Sequence, residues 1–182
     1  MTQFIALLRS INVGGKNVIK MAELKVLFDK MGLSHVQTYI QSGNIVFESD
    51  NSNIEKLTLE IAKTLSIKLQ NEIRLIVISD IQLISAFELA PKWFTDSNHL
   101  FKNDFVFVEN HIHIPDLIPK ISLREGVDKV VAGNGVMYFS RLIQKASSSR
   151  LSKIASLPEY AYMTIRNYNT ISHLVKMVTS VR

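Results

Sequence analysis

The residues best suited to chemistry stand together near the N-terminus, in the stretch Arg9–Asn17, which reads Arg-Ser-Ile-Asn-Val-Gly-Gly-Lys-Asn. Its two glycines allow close backbone approach to a ligand, its lysine supplies positive charge, and its asparagines can orient polar groups. An apolar run, Phe4–Leu8, precedes it, and a helical pattern starting near Met21 follows it. Because free N–H groups at a helix start favour an anion, the stretch predicts a site for a small anion or phosphate.

The same stretch also has a purely structural interpretation. Gly14 and Gly15 can supply positive φ for a tight turn, which Asn12 and Asn17 would close by local hydrogen bonds. Neither common nucleotide motif fits. The spacing and the Lys-Ser/Thr ending of a P-loop are absent, and the Gly-Gly pair lacks the third glycine of the dinucleotide fingerprint.

Composition limits the class of protein. The chain has 182 residues, 47% hydrophobic and 20% charged, which is ordinary for a globular protein. It has no cysteine, which excludes disulfides and thiol chemistry. Its apolar runs are far shorter than the roughly 20 residues of a membrane span, and no secretion signal is visible, so we expect a cytoplasmic protein without membrane partners. The net charge of +5 makes nucleic acid an alternative partner, although no basic run concentrates it.

Hydrophobic periodicity predicts the elements of the first half. A buried strand, Phe4–Leu8, is followed by a helix from Met21, and a hairpin joins His35–Gln41 to Ile45–Phe47 across Ser42-Gly43-Asn44. A long helix from Ile54, a strand over Ile73–Ile78 and a short helix after Asp80 come next. The order of strand, helix, strand, strand, helix and strand is the ferredoxin-like pattern.

The second half repeats this order. Its hairpin around Gly133-Asn134-Gly135 matches the first one locally. We therefore predict an α+β fold of two tandem ferredoxin-like subdomains that arose by internal duplication, each followed by one extra helix. The predicted organisation is a first subdomain over 1–90, a linker over 91–103 and a second subdomain over 104–182.

This topology brings polar residues of the first half to one edge. Right-handed crossovers place the end of the first strand beside the hairpin turn and the start of the fourth strand. The candidate ligand-binding residues at this edge are Arg9, Asn12, Gly14, Gly15, Lys16, Asn17, Gln41, Ser42 and Asn44. Arg166 and Asn167, in a second polar cluster before the last helix, complete the candidate set.

Other constellations are thin. His111 and His113 would share one side of a strand near Glu109 and Asp116, but a metal site needs a further convergent ligand. We expect no metal there and assign no catalytic residue and no cofactor. If the protein is an enzyme, Arg9, Lys16 or Arg166 would be its electrostatic groups.

Several motifs resemble one family. Ala6–Asn17 and Thr38–Asn44, followed by Phe47, are similar to the N-terminal motifs of domain-of-unknown-function family 1697, and Ser149–Lys153 and Thr164–Thr170 resemble its C-terminal blocks. The family usually has Gly where Ser10 stands and Trp where Tyr168 stands. The resemblance implies two tandem ferredoxin-like subdomains and supplies no established activity.

The leading hypothesis is thus a binding protein for a small anionic ligand, a class that includes phosphorylated compounds. A nucleic-acid-binding protein and an interaction module whose polar loops only brace the fold are the alternatives. The sequence does not decide the oligomeric state.

Overall fold

The computed structural model describes residues 1–96 and 99–180. The strands are β1 (Thr2–Leu8), β2 (Ser34–Tyr39), β3 (Asn44–Ser49), β4 (Leu75–Ser79), β5 (Phe101–Val108), β6 (Asp128–Ala132), β7 (Val136–Leu142) and β8 (Met163–Asn167). The α-helices are α1 (Met21–Lys30), α2 (Ile54–Leu69), α3 (Asp80–Glu88), α4 (Lys92–Asp96), α5 (Ile114–Leu117) and α6 (Tyr168–Thr179).

The strands form two four-stranded sheets of the same topology. The first has the order β2-β3-β1-β4 and the second β6-β7-β5-β8, with antiparallel neighbours throughout. This is the ferredoxin-like arrangement, repeated in tandem, and the predicted fold class is confirmed. The chain divides into two compact units, Met1–Leu83 with Leu174–Arg182, and Ile84–His173.

The core of the first unit follows from the apolar periodicity. Phe4 stacks on its register partner Phe47, with ring centroids 5.8 Å apart, and Phe28 of α1 meets Phe47 edge-on at 5.6 Å. Leu57 and Leu65 of α2 are buried in the same cluster. Asn53 caps α2 by accepting a hydrogen bond from Lys56 N at 2.9 Å, as its sequence position predicts.

The second unit differs in detail from its expected form. The segment 91–103, predicted as a linker, contains α4 and the first residues of β5. The sequence pattern did not predict this part of the strand because its buried residues Asn103 and Asp104 are polar. The Asn103 side chain donates to Phe94 O at 2.5 Å and accepts from the Ser140 hydroxyl. Asp104 pairs with Arg141 Nη2 at 2.6 Å. Such partners permit burial of polar strand residues that break the alternation.

The repeated order also predicts a helix between the second hairpin and the last strand, and the structure differs there. The chain there forms short 3-10 helices, over Ile143–Ser148, Leu151–Ser156 and Pro158–Tyr162. Serines hydrogen-bond locally: the Ser148 and Ser156 hydroxyls donate to carbonyls three residues earlier. Such local bonds, and Pro158, disfavour one continuous α-helix. Leu151 and Ile154 nevertheless reach the core of this unit.

Among the described residues, no helix is long and apolar enough to cross a membrane.

Candidate functional site

The loop between β1 and α1 has a strained backbone that local hydrogen bonds hold in place. Ser10, Asn12 and Asn17 have φ near +50°, and Gly14 and Gly15 also have positive φ. Asn17 Nδ2 donates to Ser10 O at 2.9 Å, which ties the end of the loop to its start. Non-glycine residues in this conformation mark a backbone that the surroundings must enforce.

Asn12 is the residue that enforces it. Its Nδ2 donates to Ile19 O at 3.1 Å and to Gln41 O at 3.0 Å, and its Oδ1 accepts from Ile19 N at 2.9 Å. One side chain therefore joins both ends of the loop and fastens them to the turn between β2 and β3. The convergence of the loop with this hairpin, deduced from topology, is present in the structure.

The hairpin turn itself is built for close contact with β1. Leu8 N donates to Gly43 O at 2.8 Å. Gly43 has a φ of 74°, and a Cβ added there would lie 2.5 Å from Ile11 Cδ1 and 2.8 Å from Leu8 Cβ. Only glycine fits such a position. Ile40, a β-branched residue at φ 50°, adds a further strained position to the turn.

The start of β4 completes the edge. Arg9 N donates to Arg74 O at 2.9 Å, and Asn71 Nδ2 donates to Asn17 Oδ1 at 2.9 Å. Arg74 Nε in turn pairs with Glu72 at 2.9 Å. The loop, the hairpin turn and the β4 start thus form one connected surface, as the crossover rule requires.

The structure divides the predicted site residues into braces and exposed groups. Asn12 and Asn17 brace the loop, and buried Asn44 donates to Tyr39 O at 3.0 Å and to Ser42 Oγ at 3.1 Å. Lys16 and Gln41 are exposed. Within residues 1–96 and 99–180, Lys16 belongs to no ion pair. This residue therefore presents its positive charge to solvent.

The start of α1 is less open than the sequence suggested. The Glu23 carboxylate accepts from Lys20 N at 3.4 Å and so lies over the first turn of the helix. A negative charge of the protein already occupies the position expected for a ligand anion. Any attraction for an anion at this edge would therefore come from side chains rather than from the helix terminus.

Arg166 and Asn167 have local structural partners in the second unit. Arg166 is buried, and its Nη1 donates to Thr164 Oγ1 at 3.0 Å and to Ile165 O at 2.9 Å. The Asn167 Oδ1 accepts from Thr170 N at 2.8 Å. Asn167 is therefore the residue that caps α6.

The histidine pair does not lie on a strand. His111 and His113 follow β5 in a turn, and each faces one carboxylate, Glu109 at 3.5 Å and Asp116 at 3.1 Å. In the described parts of the chain, no three or more metal-ligating side chains stand together.

Sequence patterns missed the role of Asp128. This buried carboxylate accepts from Arg124 N at 3.0 Å and Arg150 N at 2.8 Å through Oδ2, and from the Ser149 hydroxyl at 2.6 Å through Oδ1. It thereby joins two loops that are far apart in sequence, and both arginine side chains are exposed. In the sequence, the only sign of this role is the position of Asp128 at the start of β6.

Comparison with known proteins identifies the family. Residues 1–138 match the model of the family described as "Protein of unknown function (DUF1697)". The chain belongs to this family. The structure is similar to that of a conserved bacterial protein, SP0830, from Streptococcus pneumoniae, with 29% sequence identity and a TM-score of 0.80 over 97% of this chain and 98% of that one. No functionally curated protein matches the chain significantly.

The family match contains the whole candidate edge, from Arg9 to Arg74. The C-terminal blocks Ser149–Lys153 and Thr164–Thr170 lie beyond it. Of the two departures from the family pattern, Ser10 adopts a positive φ of 53°, which glycine would adopt without strain. Tyr168 packs on Phe87 with ring centroids 5.5 Å apart, a ring contact of the kind that an indole also makes.

Proposed function

We propose that the protein binds a small anionic ligand at the edge formed by the Arg9–Asn17 loop and the Gln41–Asn44 turn. The observation that carries this proposal is the set of three hydrogen bonds made by Asn12. They fix a strained loop whose exposed tip carries the Lys16 ammonium group. Strain of this kind is typical of binding sites, where it holds groups ready for a ligand.

Each group has a distinct part in this proposal. Lys16 supplies the charge–charge contact, and the exposed Gln41 amide, on the turn that Asn12 holds against the loop, supplies a neutral donor. Arg9 adds positive potential from the end of β1. Asn12, Asn17 and Asn44 act only by positioning, because their side chains are engaged with the protein itself.

The experiment is a titration of ¹⁵N-labelled protein with inorganic phosphate, pyrophosphate, citrate and adenosine monophosphate at constant ionic strength. We expect at least one anion to shift the amide signals of residues 12–17 and 41–44. Loss of one charge-assisted contact, worth about 1.5–3 kcal/mol, should weaken that anion roughly tenfold or more in Lys16→Ala. Lys63→Ala, which removes an exposed charge from α2, is the matched control and should bind as the wild type does.

Two results would contradict the proposal. One is the absence of local shifts with every anion tested. The other is equal weakening by Lys16→Ala and Lys63→Ala, which would indicate a general charge effect and favour the interaction module.

Binding of a nucleic acid is a second candidate function, and the Asp128 junction favours it. Its carboxylate brings the backbone of Arg124 and Arg150 to a single oxygen, and Arg150 Nη1 contacts Leu123 O at 3.5 Å. Two exposed guanidinium groups from neighbouring loops suit the phosphate backbone of a single strand.

Fluorescence anisotropy with labelled oligouridine at several salt concentrations tests this candidate. The logarithm of affinity should fall linearly with the logarithm of salt concentration. The steepness of that slope is proportional to the number of phosphate contacts. In the double variant Arg124→Ala/Arg150→Ala, we expect it to decrease by the amount that corresponds to about two contacts. Lys63→Ala/Lys68→Ala removes the same charge from α2 and should keep the slope; binding that ignores salt would rule the candidate out.

A further inference from the structure

The internal duplication gives the second unit an edge equivalent to the candidate site of the first. Within the first unit, Leu8 N donates to Gly43 O at 2.8 Å and Arg9 N to Arg74 O at 2.9 Å. Within the second, Val108 N donates to Gly135 O at 3.4 Å and Glu109 N to Tyr162 O at 3.0 Å. The end of the first strand meets the hairpin turn and the fourth strand in the same way in both units. Glu109 therefore takes the place that Arg9 has in the first.

This equivalent edge is concave. A pocket of about 260 Å³ opens between the end of β5, the turn that follows it and the hairpin Gly133–Gly135. Its lining combines polar residues, among them Glu109, His113 and Asn134, with the apolar Ile112, Ile114 and Pro115. The volume is just below the usual range for small-molecule sites, so only a small ligand fits.

The charge of this pocket is opposite to that of the first edge. No Lys or Arg is among the residues that line it. Glu109 is a lining residue, and one of its carboxylate oxygens lies 3.5 Å from His111 Nδ1. Asp116 follows the lining residue Pro115 in the chain and lies 3.1 Å from Nδ1 of the lining residue His113. A carboxylate in a half-apolar pocket attracts a cation more strongly than it would in open water. A metal ion is a poor occupant, because the described residues provide no set of three metal-ligating side chains.

We propose that this pocket binds a small organic cation, a primary amine or guanidinium compound with a short aliphatic chain. The cationic head lies against the Glu109 carboxylate and the Asn134 side-chain carbonyl. The aliphatic chain packs on Ile112, Ile114 and Pro115. A carboxylate with an adjoining apolar wall recognises both parts of such a molecule, and a charge-assisted hydrogen bond orients the head.

Titration of the ¹⁵N-labelled full chain with n-butylamine and n-butylguanidine tests the proposal, with n-butanol as the neutral ligand of the same shape. We expect saturable shifts of the amides of residues 108–114 and 133–135 below about 10 mM of the cations, which is the range of a weak, specific small ligand. Butanol should bind at least about tenfold more weakly, since it lacks the charge.

Two variants and a control separate the carboxylate from general effects. Glu109→Gln keeps the shape of the side chain and should weaken both cations about tenfold or more. Asn134→Lys adds an ammonium group to the lining of the pocket and should weaken binding at least as much, by occupying the site or repelling the ligand. Glu125→Gln removes an exposed carboxylate outside the pocket and should change nothing.

Equal binding of butanol and butylamine would overturn the proposal, as would cation binding that neither pocket variant weakens. Absence of any local shift would overturn it as well. None of these results bears on the anion site, whose residues and probes belong to the first unit.

Discussion

The side-chain amide of Asn12 donates to the carbonyl of Gln41 at 3.0 Å, across 29 positions of sequence. This bond fastens the glycine loop to the hairpin turn, and the two further bonds between Asn12 and Ile19 close the loop on itself. Asn12, which the sequence offered as a candidate ligand-binding residue, thus uses its side-chain amide to hold the loop and the hairpin turn together. Its φ of 53° is one that asparagine adopts more readily than most other residues.

Replacement of Asn12 should therefore destabilise the first unit more than a surface change does. Asn12→Ala loses three hydrogen bonds. It also places at positive φ an alanine, which has no polar side chain to stabilise that conformation. At about 1 kcal/mol for each bond and 1 kcal/mol for the backbone, we expect a loss near 3–4 kcal/mol in urea unfolding. Asn12→Gly removes the bonds but relieves the backbone, and should be less destabilised by about 1 kcal/mol. A loss below about 0.5 kcal/mol in Asn12→Ala, the range of ordinary surface changes, would contradict this role.

Gly43 offers a test of steric fit at the same turn. In Gly43→Ala the new methyl group would meet Ile11 Cδ1 at 2.5 Å and Leu8 Cβ at 2.8 Å, in addition to the strain of a φ of 74°. We expect a destabilisation of about 3 kcal/mol, from roughly equal shares of overpacking and backbone strain. Gly14→Ala is the matched control, because its φ is +57° and nothing lies within 4 Å of the added carbon. It should lose only the strain, about 1–2 kcal/mol.

The urea midpoints of the two glycine variants show whether steric overlap adds to backbone strain in Gly43→Ala. Ile11→Val, which removes the closest atom, should partly rescue Gly43→Ala in a double-mutant cycle. Equal losses at Gly14 and Gly43, without rescue, would show that strain alone accounts for both.

How much of this molecule follows from its sequence depends on how local the information is. The apolar run Phe4–Leu8 and the hairpin pattern of His35–Gln41 and Ile45–Phe47 predicted strands of the first sheet, because apolar periodicity reports which residues face the core. The crossover rule then predicted that Asn44 would stand near the end of β1. The bonds from Leu8 to Gly43 and from Asn12 to Gln41 show that geometry.

The parts that sequence did not predict depend on pairs of distant residues. Asn103 lies in a buried strand because Ser140 and the Phe94 carbonyl satisfy its amide. Asp128 owes its role to Arg150, 22 positions away. Neither pairing leaves a periodic pattern, so such polar residues look like loop or surface positions. Whether Lys16 serves as a brace or a contact was likewise undecidable from spacing alone.

The Lys120–Glu159 ion pair gives the fold a testable dependence on pH. Lys120 Nζ lies 2.5 Å from Glu159 Oε1, and the hydrogen bond from this lysine is the main cause that holds the pKa of Glu159 below its usual value. The pKa of Glu159 is lower in the folded protein than in the unfolded chain, where it is near 4.5. The ion pair therefore contributes its full stabilisation at pH values above the unfolded pKa. That contribution disappears as the pH falls through the folded pKa.

Lys120→Met should therefore raise the pKa of Glu159, followed by the ¹³C shift of its side-chain carboxyl, and lower the urea midpoint at pH 7. The difference in urea midpoint between this variant and the wild type should shrink at pH values below the wild-type pKa of Glu159. There the carboxyl group is protonated in both the folded and the unfolded protein, so the ion pair is lost in the wild type as well. Lys145→Met, at an exposed position with no ion pair in the described chain, controls for loss of positive charge and should leave the Glu159 titration in place. A midpoint difference that persists unchanged at low pH would mean that Lys120 acts through packing of its aliphatic stem.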